Sequence, residues 1–255
     1  MDSQSLHISA STVWPEILDH VEGDVKLFPH QIDSVGWLYE RETNGIRTNL
    51  IGDIMGLGKT MTTTTLLSLN VLDRTLIVCP KSLLCQWSRE LISQHHRVYF
   101  ITPSYSFKIT VYNNKVTFHK EEIRHSRTKT PFVAITSYGK VKPFPEPKHT
   151  EELCMSVFDC VNEQPEGNLV PFRRVVWDRI VVDEIHNLRN GVSLKDDKTA
   201  QLRKKSLRCF RMSRLRKTKD CFILGCTGTP LQNRIGDLAS IFLFLGCYVS
   251  YRVSL

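Results

Sequence analysis

The sequence has no long apolar run, no paired-cysteine spacing and no internal repeat, and each absence removes a class of protein. Its longest apolar stretch, Leu238 to Val249, is interrupted by Ser240 and falls short of the ~20 residues that span a bilayer. Residues 1–11 lack the basic-then-apolar pattern of a secretory leader. The eight cysteines (79, 85, 154, 160, 209, 221, 226 and 247) form neither a CxxC pair nor a Cys/His metal spacing. Several, Cys79 and Cys226 among them, lie in apolar strand-like runs, as buried free thiols in a reducing compartment do. The expectation is a protein of the nucleus or cytoplasm with no membrane partner.

What is present is ordinary in bulk. A chain of 255 residues can bury one large core or two small ones, and 41% hydrophobic with 24% charged residues is unremarkable for a globular protein. The net charge of +8 favours a polyanionic partner, nucleic acid above all, although modestly basic proteins are common. Eleven Lys/Arg against two Asp concentrate in Lys195–Lys219, which reads either as a solvated face or as a surface for phosphate backbones.

Apolar residues at 28, 32, 35 and 38 give a helix with Pro29 in its first turn. Strands are expected at Asn49–Ile54, Thr75–Cys79, Val98–Ile101, Pro131–Thr136, Arg179–Asp183 and Cys221–Gly225. Helices are expected at Lys59–Leu69, from a Ser82 cap through Leu91, and at Ile235–Leu245. Phe107–Phe118 alternates about Asn113-Asn114 and reads as an inserted β-hairpin. Strands alternating with helices imply an α/β fold, a mostly parallel central sheet with helices on both faces. The expected divisions are a lead-in over 1–26, a lobe over 27–246 with inserts at 142–174 and 195–219, and a tail over 247–255.

Gly52-Asp53-Ile54-Met55-Gly56-Leu57-Gly58-Lys59-Thr60 reads as a phosphate-binding loop, with Asp53 where such loops usually begin on glycine. Gly56 and Gly58 let the backbone wrap so that its N–H groups face a phosphate. Lys59 places an ammonium among the phosphate oxygens, and the Thr60 hydroxyl can ligate Mg²⁺. Far along the chain, Val182-Asp183-Glu184-Ile185-His186 supplies the acids: Asp183 to hold Mg²⁺ and Glu184 to orient or deprotonate water. The chemistry points to a nucleoside triphosphate.

The ordered set of motifs resembles the SWI/SNF-type DNA-dependent ATPases of helicase superfamily two. Leu27–Leu38 resembles the family's adenine-side motif, and Asp53–Thr60 its phosphate loop, with Ile54 in place of glutamate. Leu76–Trp87 and Ile135–Tyr138 resemble its DNA-side motifs. Trp177–Asn190 resembles motif II with its flanks, Ile185 standing where Ala or Gly is usual, and Thr227–Asn233 resembles motif III. The resemblance implies a RecA-like P-loop NTPase lobe, ATP and Mg²⁺ as cofactors, and duplex DNA as partner through its backbone. It implies that Gln31 reads the adenine edge, where the alternative is a surface glutamine. It also implies that His186 links motif II to Thr227 and Thr229, and that Lys81, Ser82 and Thr136 lie at the DNA, where each singly also reads as ordinary surface. The finer placement is with viral members such as the baculovirus global transactivator.

The family's engine has two lobes, the second bringing an arginine finger worth ~10³–10⁵ in rate. Arg234 and Arg252 do not match that finger motif. The expectation is therefore a first lobe only, hydrolysing poorly unless a separate chain completes the cleft. It would serve DNA or chromatin transactions, with transcription regulation as the biological setting. The alternative is a non-catalytic DNA- or protein-binding module that keeps the fold. A small P-loop kinase is disfavoured because no acceptor site or lid arginines are evident.

Overall fold

The computed structural model describes residues 27–101, 106–112, 115–120, 130–139, 141, 176–188, 192–194, 200–202, 215, 217–230 and 235–246. The expected lead-in, the insert from 142, the tail and most of the basic insert lie outside the described residues. The remaining elements follow one another as helix α1 (Pro29–Thr43), strand β1 (Thr48–Ile51), α2 (Lys59–Leu69), β2 (Arg74–Cys79), α3 (Leu84–Ser93) and β3 (Val98–Ile101). Then come β4 (Ser106–Tyr112), β5 (Lys115–Lys120), β6 (Phe132–Ser137), β7 (Trp177–Asp183), β8 (Val192–Leu194), β9 (Ala200–Leu202), β10 (Lys217–Cys226) and α4 (Ile235–Phe244).

Eight strands form one sheet in the order β1-β10-β7-β2-β6-β3-β4-β5. The first six run parallel, and the β4–β5 hairpin adds antiparallel strands at the edge beside β3. Within the hairpin, the hydroxyls of Thr110 and Thr117 pair across the strands at 2.7 Å. β8 and β9 form a separate antiparallel pair. The α/β expectation with its hairpin is met.

Because side chains alternate along a strand, each parallel strand feeds two cores. Leu76, Val78, Ile180 and Val182 pack with Ile241 and Phe244 of α4 on one face. Ile77, Val181 and Leu224 pack with Leu38, Leu66, Leu67, Trp87 and Leu91 of α1, α2 and α3 on the other. Burial on both faces explains why these strands read as continuous apolar runs. The threonine run in α2 is held the same way: Thr62, Thr63, Thr64 and Thr65 are all buried, and Thr63 and Thr64 return hydroxyl bonds to the helix backbone.

Four expectations need correction. Ser82 does not cap a helix; Lys81–Leu83 form a short 3₁₀ turn, and α3 starts at Leu84 after Leu83, with no side-chain cap. β1 ends at Ile51, because the chain leaves the sheet there to build the glycine loop. The strand expected from Cys221 starts earlier: Lys217–Lys219 open β10, Lys217 pairing with Trp177 of β7 before a register shift ahead of Phe222. Thr136 cannot meet DNA, since it is fully buried and its hydroxyl donates to Ile101 O at 2.9 Å.

A buried ion pair ties the helices to the sheet. Arg179 on β7 forks onto Glu42 in the last turn of α1, with both side chains essentially inaccessible. Asn70, which ends α2, donates to Glu42 Oε2 at 2.7 Å and accepts from Arg179 at 3.0 Å. Pairing of the charges is what such burial requires, because an isolated interior charge is costly; Arg179 Nη1 alone is left without a hydrogen-bond partner among the described residues.

Candidate functional site

The site lies at the carboxyl ends of three adjacent parallel strands. Register aligns Ile51 of β1 with Cys226 of β10, and Cys226 with Asp183 of β7. The phosphate loop, motif III and the acid pair therefore leave the sheet from one row, the outer strands two spacings or about 10 Å apart. Ligands of open α/β sheets bind outside this edge.

The loop is shaped by glycines in left-handed backbone, Gly56 at φ 90° and Gly58 at φ 81°, with Gly58 capping α2. The Lys59 ammonium folds back to donate to the carbonyls of Asp53 (2.7 Å) and Ile54 (3.1 Å). Thr60 lies half-buried in the first turn of α2, whose free N–H groups and dipole favour an anion. Ile54, Met55 and Leu57 are exposed.

Gln31 is buried against this loop. Its Nε2 donates to Leu57 O at 3.1 Å, and its Oε1 accepts the Phe28 N–H at 2.9 Å, closing the entry of α1. His30 reaches the same carbonyl at 3.1 Å. The surface-glutamine alternative is set aside by this burial.

Asp183 is buried, and both carboxylate oxygens are held. Oδ2 accepts the Trp87 indole N–H at 2.8 Å, and Oδ1 accepts the Glu184 amide at 2.9 Å. Burial raises its pKa; the Trp87 bond opposes that rise, and the Glu184 charge adds to it. Glu184 itself adopts a left-handed φ of 52°, rare for a residue with a side chain. Its carbonyl is fixed by Tyr138 OH at 3.2 Å and by Asn187, whose N–H and Nδ2 each donate at 2.9 Å.

A polar relay runs from the acids to motif III. His186 Nδ1 lies 3.0 Å from Glu184 Oε2 and 3.1 Å from Thr227 Oγ1, and Thr227 Oγ1 accepts the Thr229 N–H at 3.1 Å. Nδ1 carries one proton or none, so its role depends on the tautomer; beyond this close approach, Glu184 Oε2 has no hydrogen-bond partner among the described residues. Motif III also touches the loop: Thr227 N–H donates to Ile51 O at 3.0 Å, and a Cβ on Gly228 would lie 3.1 Å from Met55 N. The loop, motif III and the acid pair thus leave one edge of the sheet, with motif III touching the loop on one side and His186 on the other.

Ile185, where a smaller residue is usual in the resembled family, is accommodated by Gly225 across the strands. A Cβ there would come within 2.7 Å of Ile185 Cδ1. Among the described cysteines, burial pushes the Cys226 thiol up to about 12 and the Cys79 thiol higher still, so neither acts as a nucleophile. Sequence reasoning missed the parts played by Trp87 and Tyr138; a polar-tipped aromatic inside each DNA-side stretch was the available signal.

Donor chemistry fits Mg²⁺: a buried carboxylate and a helix-start hydroxyl, beside a buried Glu184 oxygen that has no hydrogen-bond partner among the described residues. Among the described residues, no cluster of three or more His, Cys, Asp or Glu forms a metal site of the protein alone.

Residues 30–252 match the family described as SNF2-related domain. The chain is similar to Protein CHROMATIN REMODELING 19 of Arabidopsis thaliana, 30% identical over 224 residues, covering 86% of this chain and 25% of that protein. It is similar to Helicase SWR1 of Yarrowia lipolytica, 30% identical over 214 residues, covering 82% of this chain and 9% of that protein. Protein CHROMATIN REMODELING 24 of Arabidopsis thaliana is 26% identical over 226 residues, 86% of this chain and 17% of that protein. The chain spans a quarter or less of the length of these relatives, which are plant and fungal and lend the viral placement no support.

Proposed function

This chain belongs to the SNF2-related family, as a SWI/SNF-type first RecA-like lobe, and from that premise we propose that it binds ATP with Mg²⁺ and works on duplex DNA or chromatin. The observation that carries the reading is the row Ile51–Cys226–Asp183, which gathers the loop, motif III and the acids at one strand-end edge.

The phosphates of ATP would take the loop N–H groups from Asp53 to Thr60, and the Lys59 ammonium would exchange its two carbonyls for phosphate oxygens. Thr60 and Asp183 would hold Mg²⁺, which supplies charge neutralisation at the phosphates. Glu184 would orient or deprotonate the attacking water, and its backbone clamps fix where that carboxylate points. His186, Thr227 and Thr229 pass the state of the acids to the neighbouring strand. Gln31 lies at the loop, where it meets the base end of the nucleotide.

Efficient turnover needs an arginine from a second lobe, on a longer polypeptide or a separate one, so this chain alone would hydrolyse slowly. Exposed Lys81 and Ser82 lie on the site's edge of the sheet and are its proposed contacts to DNA backbone. No helix among the described residues is long and apolar enough to cross a membrane. The nucleus is the proposed location, and transcription regulation the proposed setting. Equilibrium binding of Mg·ATP by the purified chain tests the reading: measurable affinity that Lys59→Ala abolishes is expected. Equal binding by the two proteins refutes it.

A further inference from the structure

Two aromatic side chains outside the expected site donate hydrogen bonds into the acid pair, and they reach it from opposite faces of the sheet. Trp87 of α3 is 1% exposed, packs with the core under α1 to α3, and donates to Asp183 Oδ2 at 2.8 Å. Tyr138 follows β6, packs in the core under α4, and donates to the Asp183 carbonyl at 2.6 Å and the Glu184 carbonyl at 3.2 Å. A buried indole or phenol needs some acceptor, and a backbone carbonyl anywhere in the core would serve. These two instead converge on consecutive residues, one of them in strained left-handed backbone. The carboxylate oxygen facing Trp87 belongs to the group proposed to hold the metal.

We propose that Trp87 and Tyr138 are positioning residues: Trp87 orients the Asp183 carboxylate for Mg²⁺, and Tyr138 holds the Asp183–Glu184 backbone so that Glu184 faces His186. Partners of this kind fix a ligating group in place and tune it without touching the metal. Both adjoin exposed segments at the same edge, Lys81–Ser82 ahead of Trp87 and Gly139 after Tyr138. The proposal rests on the Mg·ATP reading above.

The test is binding of a fluorescent ATP analogue to the full 255-residue chain, first in EDTA and then with rising Mg²⁺. Trp87→Phe keeps a ring and removes the N–H; Tyr138→Phe removes one oxygen. In both, the Mg²⁺ concentration at half-effect is expected to rise, by about 10–100-fold for Trp87→Phe and about 10-fold for Tyr138→Phe. Metal-free nucleotide affinity should stay within about twofold. A role in packing alone would lower the melting temperature and metal-free affinity while leaving the Mg²⁺ midpoint in place, and that result overturns the proposal. Should Trp87→Phe fail to fold, an unchanged midpoint in Tyr138→Phe overturns it equally. No Mg²⁺-dependent binding by the unsubstituted chain, or undiminished binding by Lys59→Ala, brings down the nucleotide reading and this inference together.

Discussion

Replacing Gly58 by alanine should couple energetically to Gln31, a residue 27 positions away in sequence. Gly58 sits at φ 81°, where an L side chain costs about 1–2 kcal/mol. Its new Cβ would also overlap the Gln31 amide nitrogen, so that amide must leave. Departure breaks the bonds to Leu57 O and from the Phe28 N–H at the start of α1, adding about 1–3 kcal/mol at roughly 0.5–1.5 kcal/mol per hydrogen bond. The sum, near ~3 kcal/mol, corresponds to roughly 6–12 °C in melting temperature for a chain of this size. Gln31→Ala alone loses the same two bonds without the backbone strain. In the double variant there is no amide to displace, so its loss should fall short of the sum by about 1–2 kcal/mol. Denaturant unfolding of all four proteins measures this cycle. Additivity within ~0.5 kcal/mol would mean that the glutamine does not rest on the loop, and the account of the adenine-side helix would fail with it.

Gly225→Ala should cost about 1–3 kcal/mol by overpacking against Ile185, and much of that should vanish on an Ile185→Ala background, read by the same unfolding assay. Glu42→Ala should cost about 3–5 kcal/mol by leaving Arg179 buried and unpaired. The paired change Glu42→Leu with Arg179→Met should lose less than that single, and a larger loss would show that the charges are net stabilising. Saturating Mg·ATP at about 100 times its dissociation constant should add ~2.7 kcal/mol, or about 5–11 °C in a thermal melt. Lys59→Ala should show no such rise.

The loop and the acids were legible in the sequence because their chemistry is local: glycines, lysine and threonine occupy consecutive positions, as do Asp183 and Glu184. The strands were legible because burial on both faces leaves unbroken apolar runs, as at Leu76–Cys79. Ser82 misled because a polar residue ahead of an apolar helix resembles a cap, whereas Pro80 and a tight turn set that helix's start. Thr136 misled because a hydroxyl within a motif says nothing of burial, which its neighbouring strand decides. The Arg179–Glu42 clamp and the two aromatic donors join residues far apart in sequence, and no local pattern announces such a meeting. Strand order is illegible for the same reason.

The position of β10 between β1 and β7 has a bearing on how the molecule comes into being. Residues 48–51 and 177–183 cannot flank one another in the finished sheet until residues 217–226 have been made and inserted between them. The proposed nucleotide pocket is therefore a late product of synthesis, closed by long-range pairing that is slow to form. A polypeptide released before that strand emerges would carry every loop and acid residue of the pocket through residue 186 and still have no way to hold them at their working separation.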